Sequence, residues 1–334
     1  MRRSSLFVLM FIIALSAFSY SAVLADDDEP SDDEEKEVVE NFTVDDVKYH
    51  VTDEGVVEVE GVEDAATSIV IPKEVTFEKT KYKVTAITDD AFSGNKTLTS
   101  VSIEGGVKEI PKETFKGCTS LAKIALGDGV EEIGESAFSG CTSLTEIKLG
   151  NDIEEIGKSA FEDCTSLTEI ELGDGVKEIG ESAFAGCTNL TEIVFPENVE
   201  KIGDSIFDGC TKLESVTIPE SVKELGKALF KDCTSLTKVE IDCDVEEINE
   251  EFFENCTSLE EIEIKGDIKK IVESMFECNE TLKSVKLTGD IGEIGKNAFK
   301  DCTSLETFEF GEKKEVKEIG ESAMFIRESP LQMA

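Results

Sequence analysis

His50 is the only histidine in the chain, so any Ser–His–Asp or Cys–His arrangement would have this one imidazole to build on. It stands beside Tyr49 in a segment that alternates like a strand, where an imidazole more often packs half-exposed than acts as a base. The ten cysteines never fall as Cys-x-x-Cys, which leaves no zinc spacing. Carboxylates are plentiful, 74 Asp and Glu against 33 Lys and Arg, and paired carboxylates can hydrolyse glycosides. That chemistry needs a pocket that drives two pKa values apart, whereas these acids recur at fixed intervals as open rows. Glycine-rich phosphate loops are absent. The inventory predicts a protein with no catalytic residues and no cofactor, and not an enzyme.

The cysteines carry a different message. Cys118, Cys141, Cys164, Cys187, Cys210, Cys233, Cys256 and Cys302 all lie three residues after a phenylalanine. A small apolar thiol suits a buried slot of that kind. Inward side chains in register point alongside one another rather than toward each other, which predicts a reduced ladder and not a disulfide framework. Asn95 and Asn279 fill the slot in two repeats, so the position can also hydrogen-bond backbone in a turn. Cys243 and Cys278 lie off the pattern and are the expected reactive thiols.

The elements that position these residues follow from the period. Phe92, Phe115, Phe138 and seven further phenylalanines to Phe299 recur at one constant interval, and a leucine follows each after six, Leu98 through Leu305. Self-similarity of this kind marks a solenoid whose coils cannot bury an apolar side alone. In Leu144-Thr-Glu-Ile147-Lys-Leu149 the apolar residues alternate at period two, the mark of a half-buried strand. Gly150-Asn151-Asp152 is a turn, Ile153 to Ile156 a second short extended piece, and Ser159-Ala160-Phe161 opens a helical or irregular turn that buries the ring. Ten coils stacked at about 4.8 Å make a rod of roughly 48 Å with two parallel sheets along it.

The run Ile156-Gly-Lys-Ser-Ala-Phe161-Glu-Asp-Cys164-Thr-Ser-Leu167-Thr-Glu-Ile170 closely resembles the BspA-type leucine-rich repeat. The resemblance is strong from Thr85 to Ala323 and weaker over Phe42 to Lys83, where that family carries a β-rich N-terminal cap. It implies a mostly β fold: a leucine-rich-repeat solenoid of about ten 23-residue coils with parallel sheets, preceded by a small cap. It also implies a secreted or surface protein that works in adhesion, binding proteins or glycoproteins at a cell surface or matrix. The chain departs from the family in its acidity and in its 6 prolines, with Ile-Pro or its equivalent after the strand kept only at Pro196 and Pro219.

The ends complete the organisation. Arg2 and Arg3, the apolar run from Leu6 and the small residues of Val23-Leu24-Ala25 predict a signal peptide over 1–25. The alternative is an uncleaved anchor, since Leu6 to Ala25 is about 20 residues long, but Ser16, Ser19, Tyr20 and Ser21 make its second half polar. An acidic spacer (26–40), the cap (41–88), the solenoid (89–323) and an irregular tail (324–334) follow. A net charge of -41 excludes nucleic acid and anionic lipid as partners.

The outward strand positions form the candidate binding face: Lys123, Glu146, Lys148, Glu169, Glu171, Glu192, Lys238, Glu240, Glu261 and Glu263. Sequons at Asn41, Asn95, Asn189, Asn255 and Asn279 are glycosylation acceptors in a eukaryotic host, least readily at Asn189 and Asn255 beside the buried slots. On the second extended piece Glu131–Glu132, Glu154–Glu155 and Glu246–Glu247 recur in register, and at about 4.8 Å like charges repel by roughly 0.9 kcal/mol per pair in water. Weak calcium binding across coils would relieve them. The alternative to adhesion is therefore an acidic structural or matrix protein that self-associates or binds divalent cations.

Overall fold

The computed structural model describes residues 40–249, 251–311 and 316–323. The expected signal peptide, all but the last residue of the acidic spacer, and the tail lie outside the described residues.

Alternation at period two places the first seven strands. They are β1 (Asn41–Val44), β2 (Val47–Asp53), β3 (Val56–Val62), β4 (Ser68–Ile71), β5 (Glu74–Phe77), β6 (Thr80–Ile87) and β7 (Ser100–Ile103). Five of them make the cap sheet in the order β1-β2-β3-β6-β5. Its inner face is aromatic, with Phe42 stacked on Phe77 at 4.5 Å and on Tyr49 at 5.4 Å between ring centroids. β4 leaves that sheet and pairs in parallel with β7, so it opens the ladder of coils from within the segment resembling a cap.

Beyond β7 two rows of parallel strands run the length of the rod. The outer row continues through Lys123–Leu126, Glu146–Lys148, Glu169–Glu171 and Ser215–Ile218 to Thr307–Phe310. The second row consists of two-residue pieces from Glu109–Ile110 to Glu224–Leu225, then four-residue strands from Val245–Ile248 to Val316–Ile319. Register repeats with the period of the phenylalanines, as in Ile147↔Ile170 and Ile133↔Ile156. It lengthens at the two ends, at Ser68↔Ser100 where β4 meets β7 and at the last pair, Ile294↔Ile319. Counting β4 and a lone bridge at Glu192, the outer row has eleven levels, one ahead of the first repeat.

The third side of each coil is not helical. Phe115, Phe161 and Phe207 amides donate to the carbonyls of Ala137, Ala183 and Leu229 in the next coil, and so cannot close onto the residue four earlier. Left-handed backbone at Ser136, Ser159 and Ser182 turns the chain so that the following phenylalanine enters the core. The rings then stack coil on coil, 5.0 Å apart at Phe92–Phe115 and 6.0 Å at Phe184–Phe207, within 15° of parallel except at Phe253–Phe276, which tilts to 38°. Coils are so close that a Cβ on Gly180 would lie 2.5 Å from the Lys158 amide nitrogen.

Phe184 is fully buried between Phe161 and Phe207. Replacing it with alanine should cost about 3–5 kcal/mol by opening a cavity in a packed core. Thermal and urea melts of the variant check this, and an unchanged midpoint would contradict the stack.

Candidate functional site

A strand whose alternate residues pack inward must offer the others to solvent. Ile147 and Ile170 are buried, while Glu146, Lys148, Glu169 and Glu171 between them are exposed and pair level by level with the next coil. Lys123, Glu192 and Glu261 are likewise exposed, and Lys238, Glu240 and Glu263 half-buried. All ten candidate residues therefore fall on one face of the outer row. The same alternation adds Ser68 and Val70 on β4, Ser100 and Ser102 on β7, and Lys286 and Glu309 near the far end. Ser-Val-Ser-Ile in β7 already carried that signal.

Charge on this face is partly answered from within. Lys148 Nζ lies 2.6 Å from Glu171, Lys286 2.7 Å from Glu263, and Lys238 2.7 Å from Glu240. The hydrogen bond from Lys238 holds the Glu240 carboxyl below its usual range. The centre is different. At Glu192–Phe195 the ladder is reduced to one bridge, and Val194 stands 75% exposed between two shallow grooves of 220 and 390 Å³. The largely apolar recess lies at the N-terminal end, 460 Å³ over Val70, Ser102 and Ala125, walled by Lys123, Glu146 and Lys148. Small residues beside long charged ones make the hollow.

The profile of the BspA type Leucine rich repeat region matches six copies over residues 85–214 and 200–329. The chain belongs to the BspA-type leucine-rich-repeat family. Among solved structures it is similar to a leucine-rich repeat protein from Bacteroides ovatus, 24% identical, with 83% of this chain and 99% of that one covered and a TM-score of 0.45. A leucine rich cell surface protein from Faecalibacterium prausnitzii is 20% identical over 85% of each chain, TM-score 0.48. The pneumococcal vaccine antigen PcpA is 21% identical over 85% of this chain and 78% of its own, TM-score 0.48. No curated protein matches.

The other residues of the BspA-type coils take structural posts. Every cysteine is free. Each ladder thiol donates to the carbonyl of the phenylalanine 26 residues earlier, as Cys118 does to Phe92 at 3.0 Å and Cys187 to Phe161 at 3.2 Å. Where asparagine fills the slot, Asn95 Oδ1 accepts from the Thr97 and Leu98 amides, both at 2.8 Å. Cys243 corrects the expectation of a reactive thiol. It is buried, and desolvation pushes its pKa up to about 12. Ile241, Cys243 and Val245 alternate inward across the turn, so a thiol off the repeat slot is still carried into the core. Cys278 is the one exposed cysteine.

His50 Nδ1 lies 2.7 Å from Asn41 Oδ1 and 3.9 Å from Glu60. Of the other sequons, Asn189 and Asn255 have their amide nitrogens engaged, by the Thr165 carbonyl at 2.5 Å and by Asp232 at 2.6 Å.

The acidic rows of the second strand resolve into two kinds. Lys108–Glu131 at 2.6 Å, Lys177–Glu154 at 2.9 Å and Lys223–Glu200 at 2.8 Å pair across coils, so one row neutralises itself. One position along, Glu109, Glu132, Glu155 and Glu178 stand directly side by side, with Lys201 closing the run. Burial first, and then the neighbouring carboxylates, push Glu132 and Glu155 above the usual glutamate range. Among the described residues no group of three or more His, Cys, Asp or Glu is disposed to hold a metal.

Two measurements check these posts. A thiol reagent in native buffer should label Cys278 and leave the other nine cysteines unmodified until the chain unfolds, as mass spectrometry of tryptic peptides would report; rapid labelling of Cys243 would contradict its burial. The second concerns pH. A carboxyl whose pKa is raised by folding costs stability while ionised, and that cost is relieved as pH falls through the raised value to the ordinary one. Carboxyls held low, such as Glu240, forfeit their contribution only below the ordinary value. The melting temperature should therefore rise from pH 7 toward the ordinary glutamate range and fall below it. Glu155→Gln should raise the pH 7 value and flatten the rise, and a profile identical to the parent would contradict the ladder.

Proposed function

We propose that the chain is an extracellular adhesion or protein-binding solenoid with no catalytic role. The observation that carries this reading is the outward sheet face: side chains aligned from β4 to Thr307–Phe310 along three successive parallel sheets, set over a buried core and open to solvent. Rigid, extended and polar, such a surface gains strength from many modest contacts with proteins or glycoproteins of a cell surface or matrix. The signal-like N-terminus supports an extracellular setting. The sequence offers one histidine, and its imidazole faces an amide and a carboxylate on the cap.

The acidic matrix reading draws on the like-charged run Glu109, Glu132 and Glu155, where weak calcium binding would belong; Glu178 beyond it meets Lys201 at 3.7 Å. Self-neutralising pairs along the neighbouring row make the binding module the better supported of the two.

The test is capture of intact cells and of immobilised matrix glycoproteins by the full chain, compared with the charge-reversed face Glu169→Lys, Glu171→Lys, Glu192→Lys. We expect capture by the parent and a loss of about tenfold or more in the variant at unchanged melting temperature. Equal capture by both would remove the face from the binding reading.

A further inference from the structure

β4 is the first strand of the outer row, and its second edge is open. Thr67 and Ile71 carbonyls accept from the Ser100 and Glu104 amides of the next coil. In a parallel ladder hydrogen-bonding groups alternate sides, so Ile69 and Ile71 face β7 while the N–H and C=O of Ser68 and Val70 point the other way. Among the described residues neither Ser68 nor Val70 has a backbone partner on that side, and the cap sheet ends on β5 without joining β4. Between them lies a cleft of 700 Å³, reaching from β4 to the β1–β2 turn and β5. It adjoins the 460 Å³ recess of the outward face, the two sharing Ser68, Ile69 and Val70.

An edge of this kind is a template for another strand. Four residues of β4 offer about 13 Å of ladder. The cleft also specifies side chains. Its inner wall is Val44, Tyr49 and Val75, and its rim carries Asp45, Asp46, Glu74 and Glu104. Cations near it are few: Lys81 lies 3.6 Å from Glu74, and the Lys73 side chain lies over Gly105.

We propose that the open edge of β4 docks an extended, basic segment of a protein partner, which adds to the outer sheet as one more strand. Apolar residues of the guest alternate inward against Val44, Tyr49 and Val75, and its lysines or arginines meet the acidic rim. The proposal rests on the protein-binding reading and gives that reading a partner chemistry. Charge selects among occupants. The chain's own segment before β1, with Asp26-Asp27-Asp28-Glu29 and Asp32-Asp33-Glu34-Glu35, is repelled by the rim, and so is a second copy of a chain carrying -41.

The experiment uses the full chain and a synthetic peptide of alternating lysine and valine, with a glutamate–valine peptide as control. Fluorescence anisotropy reads binding, and hydrogen exchange reads the Val70 amide. We expect the lysine peptide alone to bind, and the Val70 amide to exchange fast in the free chain and slow on addition of peptide. Val70→Pro removes a donor that serves nothing within the protein and is tolerated on an open edge, so it should keep the melting temperature and weaken the peptide at least about tenfold. Should that variant misfold, Glu104→Lys gives the same test through the rim and should weaken binding severalfold.

No binding of the lysine peptide would overturn the proposal. So would undiminished binding to the folded Val70→Pro or Glu104→Lys variant, or a Val70 amide already protected in the free chain. The mid-face triple variant separates this site from the broader reading: it should bind the peptide normally while losing cell and matrix capture. Loss of the edge proposal alone therefore leaves protein binding by the face standing.

Discussion

Hydrogen bonding and apolar contact between equivalent positions of neighbouring coils carry this structure, because one coil is too thin to bury its own side chains. Three ladders join neighbours: the outer strands, the shorter second strands, and the run of amides at the phenylalanine turns. Together they hold the spacing at which the rings stack and the thiols reach the carbonyls of the preceding coil. That spacing also dictates residue size. Glycine fits where one turn lies directly on the next, as at Gly180, although Asn249 and Val272 fill that slot in two coils, and cysteine fits a slot with room for one sulfur and one carbonyl. Asparagine replaces it at Asn95 and Asn279 by accepting amides of its own turn instead.

Stacking in register has an electrostatic consequence. Any charged position meets its equivalent in the next coil, so a uniform row repels itself and an alternating one pairs. Both occur side by side on the second strand, where the Lys108–Glu131 and Lys223–Glu200 pairs lie one residue from the Glu109–Glu178 run. Exposed pairs of this kind contribute only about 0–1 kcal/mol each. Their effect is chiefly to keep a chain of -41 from straining its own rod, while the remaining acid keeps it soluble.

The open face and the open strand edges both come from the solenoid's one-dimensional order. Outward strand positions carry no packing duty, so Val194, Lys123 or Glu261 can differ from coil to coil without disturbing the interior. A row of strands must also begin and end somewhere. Among the described residues the second row ends on Val316–Ile319, with Ile319 52% exposed, and the outer row begins on β4, which the cap flanks without pairing.

The period was legible at once, since phenylalanine, cysteine and leucine recur at fixed offsets and each coil repeats the same local alternation. Strand positions, the buried thiol ladder and the outward face follow from that alternation by itself, and so does the burial of Cys243, through the inward beat of Ile241-Cys243-Val245. Whether the phenylalanine turn is helical was not legible, because its amides choose between a carbonyl four residues back and one in the next coil, and only packing decides. Nor could the residue order say which glutamates face lysine and which face glutamate, or that β4 belongs to the outer row with one edge unpaired. Those facts depend on register between segments a whole coil or more apart in the chain, and on where a neighbouring strand is missing. Periodicity within a segment determines what it can bury; the tertiary structure decides what lies beside it.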